Sequence, residues 1–163
     1  MSDITDAFTQ PGTNRGLFYD GAFQQPKTDA FISVTNPATA QGFTTVPDAN
    51  ATDVDAAVAA ARAAFADWSA LDPLDRARHL RRFADVVGKN IPKLAILESI
   101  VTGRALKEMN AQMARIPEWI EYFAGIAMGL EGESNVIKGG YITMTHYEPL
   151  GPVALLTPWN HPI

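Results

Sequence analysis

The spacing of hydrophobic positions changes several times along the chain, and each change marks a predicted element. Leu17-Phe18-Tyr19 and Ala22-Phe23 flank Asp20-Gly21, and Phe31-Ile32-Ser33-Val34 precedes Asn36-Pro37. Asp-Gly tolerates the positive φ angles of a tight hairpin turn, so this stretch predicts a small β region, closed by Gly42 to Val46. From Thr52 the spacing turns helical through Val54, Val58, Ala61, Phe65 and Trp68, with Thr52 and Asp55 placed as a capping box. A second helix is predicted from Asp72-Pro73, a side-chain cap followed by proline at the first helical position, with Ala77, Leu80, Ala84 and Val87 on one face. Asn90-Ile91-Pro92 restarts a third through Leu94, Leu97 and Val101, and Gly103 stands where a left-handed C-terminal cap belongs. The fourth spaces Met109, Met113, Ile116, Ile120, Phe123, Ala127 and Leu130 alternately by four and three, and Pro117 predicts a kink in it.

Beyond Gly139-Gly140 the period falls to two, with Tyr141, Thr143, Thr145 and Tyr147 on one face and Ile142, Met144 and His146 on the other. That is the pattern of a strand with one polar-aromatic face. Gly151-Pro152 then leads into Val153-Ala154-Leu155-Leu156-Thr157, a run without alternation, as expected of a strand buried on both faces of a parallel sheet. The chain ends at Ile163, soon after that run. A parallel strand needs a crossover and a neighbour, so the sequence reads as cut rather than finished. Residues 1–15 show no period and read as a flexible tail.

Composition narrows the function classes. The 163 residues are 47% hydrophobic and 19% charged, an ordinary globular balance. Lys plus Arg number 13 against 18 for Asp plus Glu, a formal charge of −5, which is the wrong sign for neutralising phosphates and argues against a nucleic-acid partner. No window offers the uninterrupted apolar run of a membrane helix, and the acidic opening is unlike a secretory signal, so no membrane partner and a cytoplasmic location are expected. The chain has 0 Cys, which removes disulfides, thiolate metal sites and a cysteine nucleophile within these residues.

Several polar features have a plain structural reading. His79 on an arginine-rich helix reads as a surface residue and His146 as a packing or interface residue. Asn50-Ala51-Thr52 reads as a helix start rather than a glycosylation acceptor, Met109 and Met113 as a core stripe, and Arg76 to Arg82 as a solvated face. No metal site is expected. The exception is Thr157-Pro158-Trp159-Asn160-His161-Pro162, directly after the predicted buried strand, at the edge where open α/β sheets bind ligands. Two prolines stiffen the backbone around one amide. Asn160 held there could donate N–H to a developing oxyanion, or could merely cap the turn before Pro162.

These residues resemble a known family. Glu148-Pro149-Leu150-Gly151-Pro152-Val153 followed by Pro158-Trp159-Asn160-His161-Pro162 is similar to the EPxGVV and PWNFP segments of the aldehyde dehydrogenase superfamily. Upstream, Asn36-Pro37-Ala38-Thr39 resembles its NPATGE, Asp53 through Phe65 and Trp68 its first long helix, and Thr102-Gly103-Arg104 its TGKP turn. The resemblance runs from about Leu17 to Ile163. It implies an α/β fold, the N-terminal portion of the aldehyde dehydrogenase fold, comprising part of a Rossmann-like cofactor domain and an oligomerisation arm. On that basis residues 16–138 begin the cofactor domain, 139–150 form the arm strand, and 151–163 the first strand of the Rossmann-like sheet with the PWN motif.

The resemblance further implies oxidation of an aldehyde to a carboxylic acid with NAD or NADP. A cysteine thiolate attacks the aldehyde, a backbone amide and the asparagine matching Asn160 hold the oxyanion, and a glutamate activates water. Leu156, Thr157, Pro158 and Trp159 would line the cofactor side, and the partners would be a small aldehyde and further copies of the chain in a dimer or tetramer. Three departures matter. The family's cysteine, glutamate and glycine-containing cofactor loop lie downstream of PWN, so this stretch alone is expected to be inactive. Val101 stands where many members carry an acidic residue of a monovalent-cation site, which argues against such a site through Val34 and Val101, and His161 replaces the commoner Phe. The competing expectation is a short, non-catalytic assembly or regulatory module on the same scaffold.

Overall fold

The computed structural model describes residues 16–163, and the tail predicted over 1–15 lies outside the described residues. β1 (Leu17–Tyr19) and β2 (Ala22–Gln24) form an antiparallel hairpin. Asp20 and Gly21, at φ 54° and 71°, supply the left-handed pair that its turn requires. β3 (Phe31–Asn36) pairs antiparallel with β4 (Gln41–Pro47), with a bulge between Val34 and Thr35. Asn36 shapes the connecting loop, its Oδ1 accepting from the Ala38 amide at 2.9 Å.

α1 (Ala51–Ala70) opens on a capping box two residues earlier than the predicted one. The box is Asn50 with Asp53: Asn50 Oδ1 accepts from the Asp53 amide at 3.0 Å, and Asp53 Oδ2 accepts from the Asn50 amide at 3.2 Å. Asp53 Oδ1 also accepts from the Lys27 amide at 2.9 Å, tying the link after β2 to the helix. Thr52 and Asp55 are exposed. The predicted apolar face of α1 is largely uncovered too, with Val54, Val58 and Trp68 exposed.

α2 (Pro73–Thr102) is one helix of 30 residues where the sequence predicts two. It opens as expected, Asp72 Oδ1 accepting from the Leu74 amide at 2.8 Å ahead of Pro73. Pro92 removes one donor but does not end the helix. The residue four before it is Gly88, and α3 and α4 pack along α2 on both sides of this point. The Asn90 side-chain amide donates to the Val86 carbonyl at 2.8 Å in the preceding turn. Ala77 and Ala84 are buried, with Leu80 and Val87 half-buried on the predicted face.

The predicted fourth helix is two: α3 (Leu106–Met113) and α4 (Ile116–Ile126). Pro117 lacks an N–H and its ring opposes the carbonyl four residues back, so the helix breaks at Ala114-Arg115 and restarts with Pro117 in its first turn. The break also rotates the face. Ala124 is buried while Phe123, assigned to the core stripe by uninterrupted spacing, is exposed. Met109 and Met113 pack with Ala95 against Ile91, Leu94 and Ile116, the main buried cluster.

β5 (Ser134–Ile137), which the sequence reading missed, pairs antiparallel with β6 (Tyr141–Met144) in a third two-stranded ribbon. β6 is shorter than the predicted Tyr141 to Tyr147. The ladder is extended only by the Thr145 amide donating to the Glu133 carbonyl at 2.8 Å, and both faces are exposed. Val153 to Thr157 is not a strand and is not buried: Leu155 and Leu156 are 84% and 93% exposed. A parallel strand forms only against a neighbour, and among the described residues no strand lies paired with this run. The fold is mixed α/β, with helices packed on one another and three separate two-stranded sheets.

Candidate functional site

The C-terminal end of α2 gathers three segments. Gly103 caps the helix at φ 76°, its amide donating to the Ser99 carbonyl at 2.9 Å. A Cβ at this position would stand 2.9 Å from Pro37 Cγ, so the β3–β4 loop closes on the cap where only glycine fits. Arg104 follows directly: its carbonyl accepts from Ser99 Oγ at 2.6 Å and its amide donates to Thr102 Oγ1 at 3.3 Å.

From this anchored turn the Arg104 guanidinium reaches the third segment. Nη1 lies 3.0 Å from His161 Nδ1 and closer still to Nε2, while Nη2 is 3.5 Å from Glu108. Beneath them Glu98 is only 2% exposed, with Oε1 3.7 Å from His161 Nδ1 and Oε2 without a partner among the described residues. Pro162 and Ile163 continue over an open apolar cavity of about 580 Å³ that Glu98, Val34 and Val101 also line.

The sequence-predicted site residues lie next to this anchor and outside the packed structure. Trp159 and Asn160 occupy a turn, and Asn160 is exposed with no hydrogen bond to its side chain among the described residues. Leu156, Thr157, Pro158 and Trp159 are exposed, Trp159 to 88%. Pro152, Val153 and Ala154 lie along a groove formed with Asp53, Val54 and Val58 of α1.

Glu98 and Arg104 were missed in the sequence. The signal for Glu98 was present: it stands four residues after Leu94 and three before Val101, on the apolar stripe of its helix. His79 lies with its ring 5.8 Å from Trp68, and His146 is 3.8 Å from Glu148. Arg76 donates to the Leu71 and Ser69 carbonyls, pinning the α1–α2 link rather than facing solvent, whereas Arg78 pairs with Asp75 at 2.7 Å. Among the described residues no group of three His, Asp or Glu could hold a metal ion, and no helix is long and apolar enough to cross a membrane.

Residues 23–163 match the aldehyde dehydrogenase family. The chain belongs to that family. It is 34% identical over 158 residues to hydroxyisobutyraldehyde dehydrogenase of Mycolicibacterium austroafricanum, a match covering 97% of this chain and 31% of the relative. The crystal structure of a putative aldehyde dehydrogenase from Burkholderia cenocepacia superposes with a TM-score of 0.76 at 37% identity, over 81% of this chain and 28% of that one. PnpE, solved in complex with nicotinamide adenine dinucleotide, superposes with a TM-score of 0.74 at 34% identity, over 80% and 27%. The chain corresponds to the N-terminal portion of the family and spans less than a third of the length of these relatives.

Proposed function

We propose that this chain forms part of an NAD(P)-dependent enzyme that oxidises an aldehyde to a carboxylic acid, and that Asn160 is its oxyanion-stabilising side chain. One observation carries the reading: Asn160 stands in an exposed turn between Pro158 and Pro162 with its amide uncommitted among the described residues. An amide whose backbone is stiffened on both sides and whose N–H groups are unspent is prepared to donate where negative charge develops. The family and the NAD-bound relative support the cofactor class.

Leu156, Thr157, Pro158 and Trp159 fit one side of such a cofactor site, since they offer an exposed, largely apolar stretch suited to flat rings. The dinucleotide, when bound there, supplies the hydride acceptor. This chain's own contribution is to hold the substrate oxygen: as a nucleophile adds to the aldehyde carbon, the carbonyl oxygen gains charge and the Asn160 N–H donates to it. The chain has 0 Cys, so a cysteine nucleophile would come from residues other than these. The β5–β6 ribbon, exposed on both faces, is assigned to assembly between copies, in a dimer or tetramer.

The test is Asn160→Ala in the enzyme that contains this chain, followed by absorbance of the reduced nicotinamide. Turnover is expected to fall about 100- to 1000-fold with cofactor affinity little changed. Turnover equal to the parent's would contradict the oxyanion role.

A further inference from the structure

We propose that Glu98 and Arg104 are positioning residues that hold the turn carrying Asn160, acting through the imidazole of His161. The inference rests on the oxyanion reading of Asn160 for its functional consequence, but its geometry stands separately.

Glu98 is the starting observation. A carboxyl group on the apolar face of a helix, 2% exposed and with Oε2 unpartnered among the described residues, is unfavourable unless a donor or charge stands close to it. The ring in reach is His161, and the ring's other neighbour is Arg104. Arginine donates and never accepts, and Arg104 Nη1 lies within reach of both ring nitrogens, so either tautomer offers it an acceptor. Nδ1 also lies 3.7 Å from Glu98 Oε1. The imidazole is thus held between the Arg104 guanidinium and the Glu98 carboxyl. The second contact is longer than a direct hydrogen bond and positions the ring by proximity of polar groups.

The hold is transmitted over a single residue. His161 follows Asn160 directly, and Pro158 and Pro162 restrict the backbone on either side. Fixing the imidazole therefore fixes the peptide plane from which the Asn160 side chain projects. Arg104 is itself immobilised, through its carbonyl on Ser99 and its second nitrogen near Glu108. Phenylalanine at position 161 could fill the space but could not accept from Arg104 or set a polar nitrogen beside Glu98.

Two measurements test this. In the 163-residue chain, the imidazole resonances of His161 are expected to shift in both Arg104→Ala and Glu98→Gln relative to the parent. A His161 ring signal unmoved by both substitutions overturns the proposal. In the enzyme containing this chain, His161→Phe is expected to lower kcat about 10- to 100-fold with the cofactor KM unchanged, as displacement of a catalytic group does. His161→Gln, which keeps one acceptor and one donor, should recover part of that loss. His161 is partly exposed, so its variants fold even where Glu98→Gln does not. Parental kcat in His161→Phe, alongside a large loss in Asn160→Ala, refutes the positioning role and leaves the oxyanion reading intact. No loss in Asn160→Ala refutes the oxyanion reading, and the His161 resonance experiment then decides the Glu98–His161–Arg104 arrangement by itself.

Discussion

Asp53→Ala separates the capping box seen in the structure from the one the spacing predicts. The Asp53 carboxylate is 1% exposed and accepts from two backbone amides, Lys27 at 2.9 Å and Asn50 at 3.2 Å. A hydrogen bond to a charged group contributes about 1.5–3 kcal/mol. The low end applies here, because Lys27 is exposed and water can reach its freed amide. Two such bonds give a loss of about 3 kcal/mol, and with a urea m-value of about 2 kcal/mol/M the unfolding midpoint falls by about 1.5 M. Asp53→Asn keeps one acceptor but turns an NH2 toward the second amide, so its loss should be intermediate. Thr52→Ala and Asp55→Ala, both exposed, should each shift stability by less than about 0.5 kcal/mol. Urea denaturation followed by far-ultraviolet circular dichroism reads all four. Equal, small effects at positions 52, 53 and 55 would show that the carboxylate does not tie the β2 link to α1.

Gly103→Ala forces a Cβ into a left-handed residue, a penalty of about 1–2 kcal/mol, and against Pro37, so thermal unfolding should begin at a visibly lower temperature. Met109→Ala removes a fully buried side chain from the cluster with Ala95 and Met113 and should cost about 2–5 kcal/mol. Met109→Leu, which nearly conserves volume, should cost under about 1.5 kcal/mol in the same denaturation assay.

What the sequence disclosed depended on whether the physical cause lay within a few residues. The Asp20-Gly21 turn, the Asp72-Pro73 helix start and the Gly103 cap each follow from one or two residues with restricted backbone preferences, and each is in place. Proline was harder, because its effect depends on what lies four residues before it and what packs alongside. Pro92 is carried inside α2, whereas Pro117 divides α3 from α4 and shifts the buried face from Phe123 to Ala124. Thr52 and Asp55 had the spacing of a capping box, but Asn50 is the stronger cap and Asp53 has a second partner, Lys27, 26 residues away, that no local pattern encodes. Glu98 escaped notice for a related reason. A polar residue on an apolar stripe is meaningful only once its partner, His161, is known to lie across from it.

The largest divergence concerns the segment with the clearest pattern. Val153 to Thr157 is composed for burial on two faces, and the structure leaves Leu155 and Leu156 in solvent. Both statements hold, because a run of apolar residues records the environment its side chains require and not the one a given set of neighbours supplies. Fully burying a leucine contributes about 1.5–3 kcal/mol, so this segment, the open face of α1 beside Pro152 and Val153, and the β5–β6 ribbon all gain from a covering layer. The Glu98–His161–Arg104 contact is the exception in this region, because it joins groups within the chain and holds Asn160 without any covering layer. What the 163 residues organise by themselves is therefore the anchor of the turn, while Leu156 and Trp159 direct apolar surface outward, toward whatever packs over them.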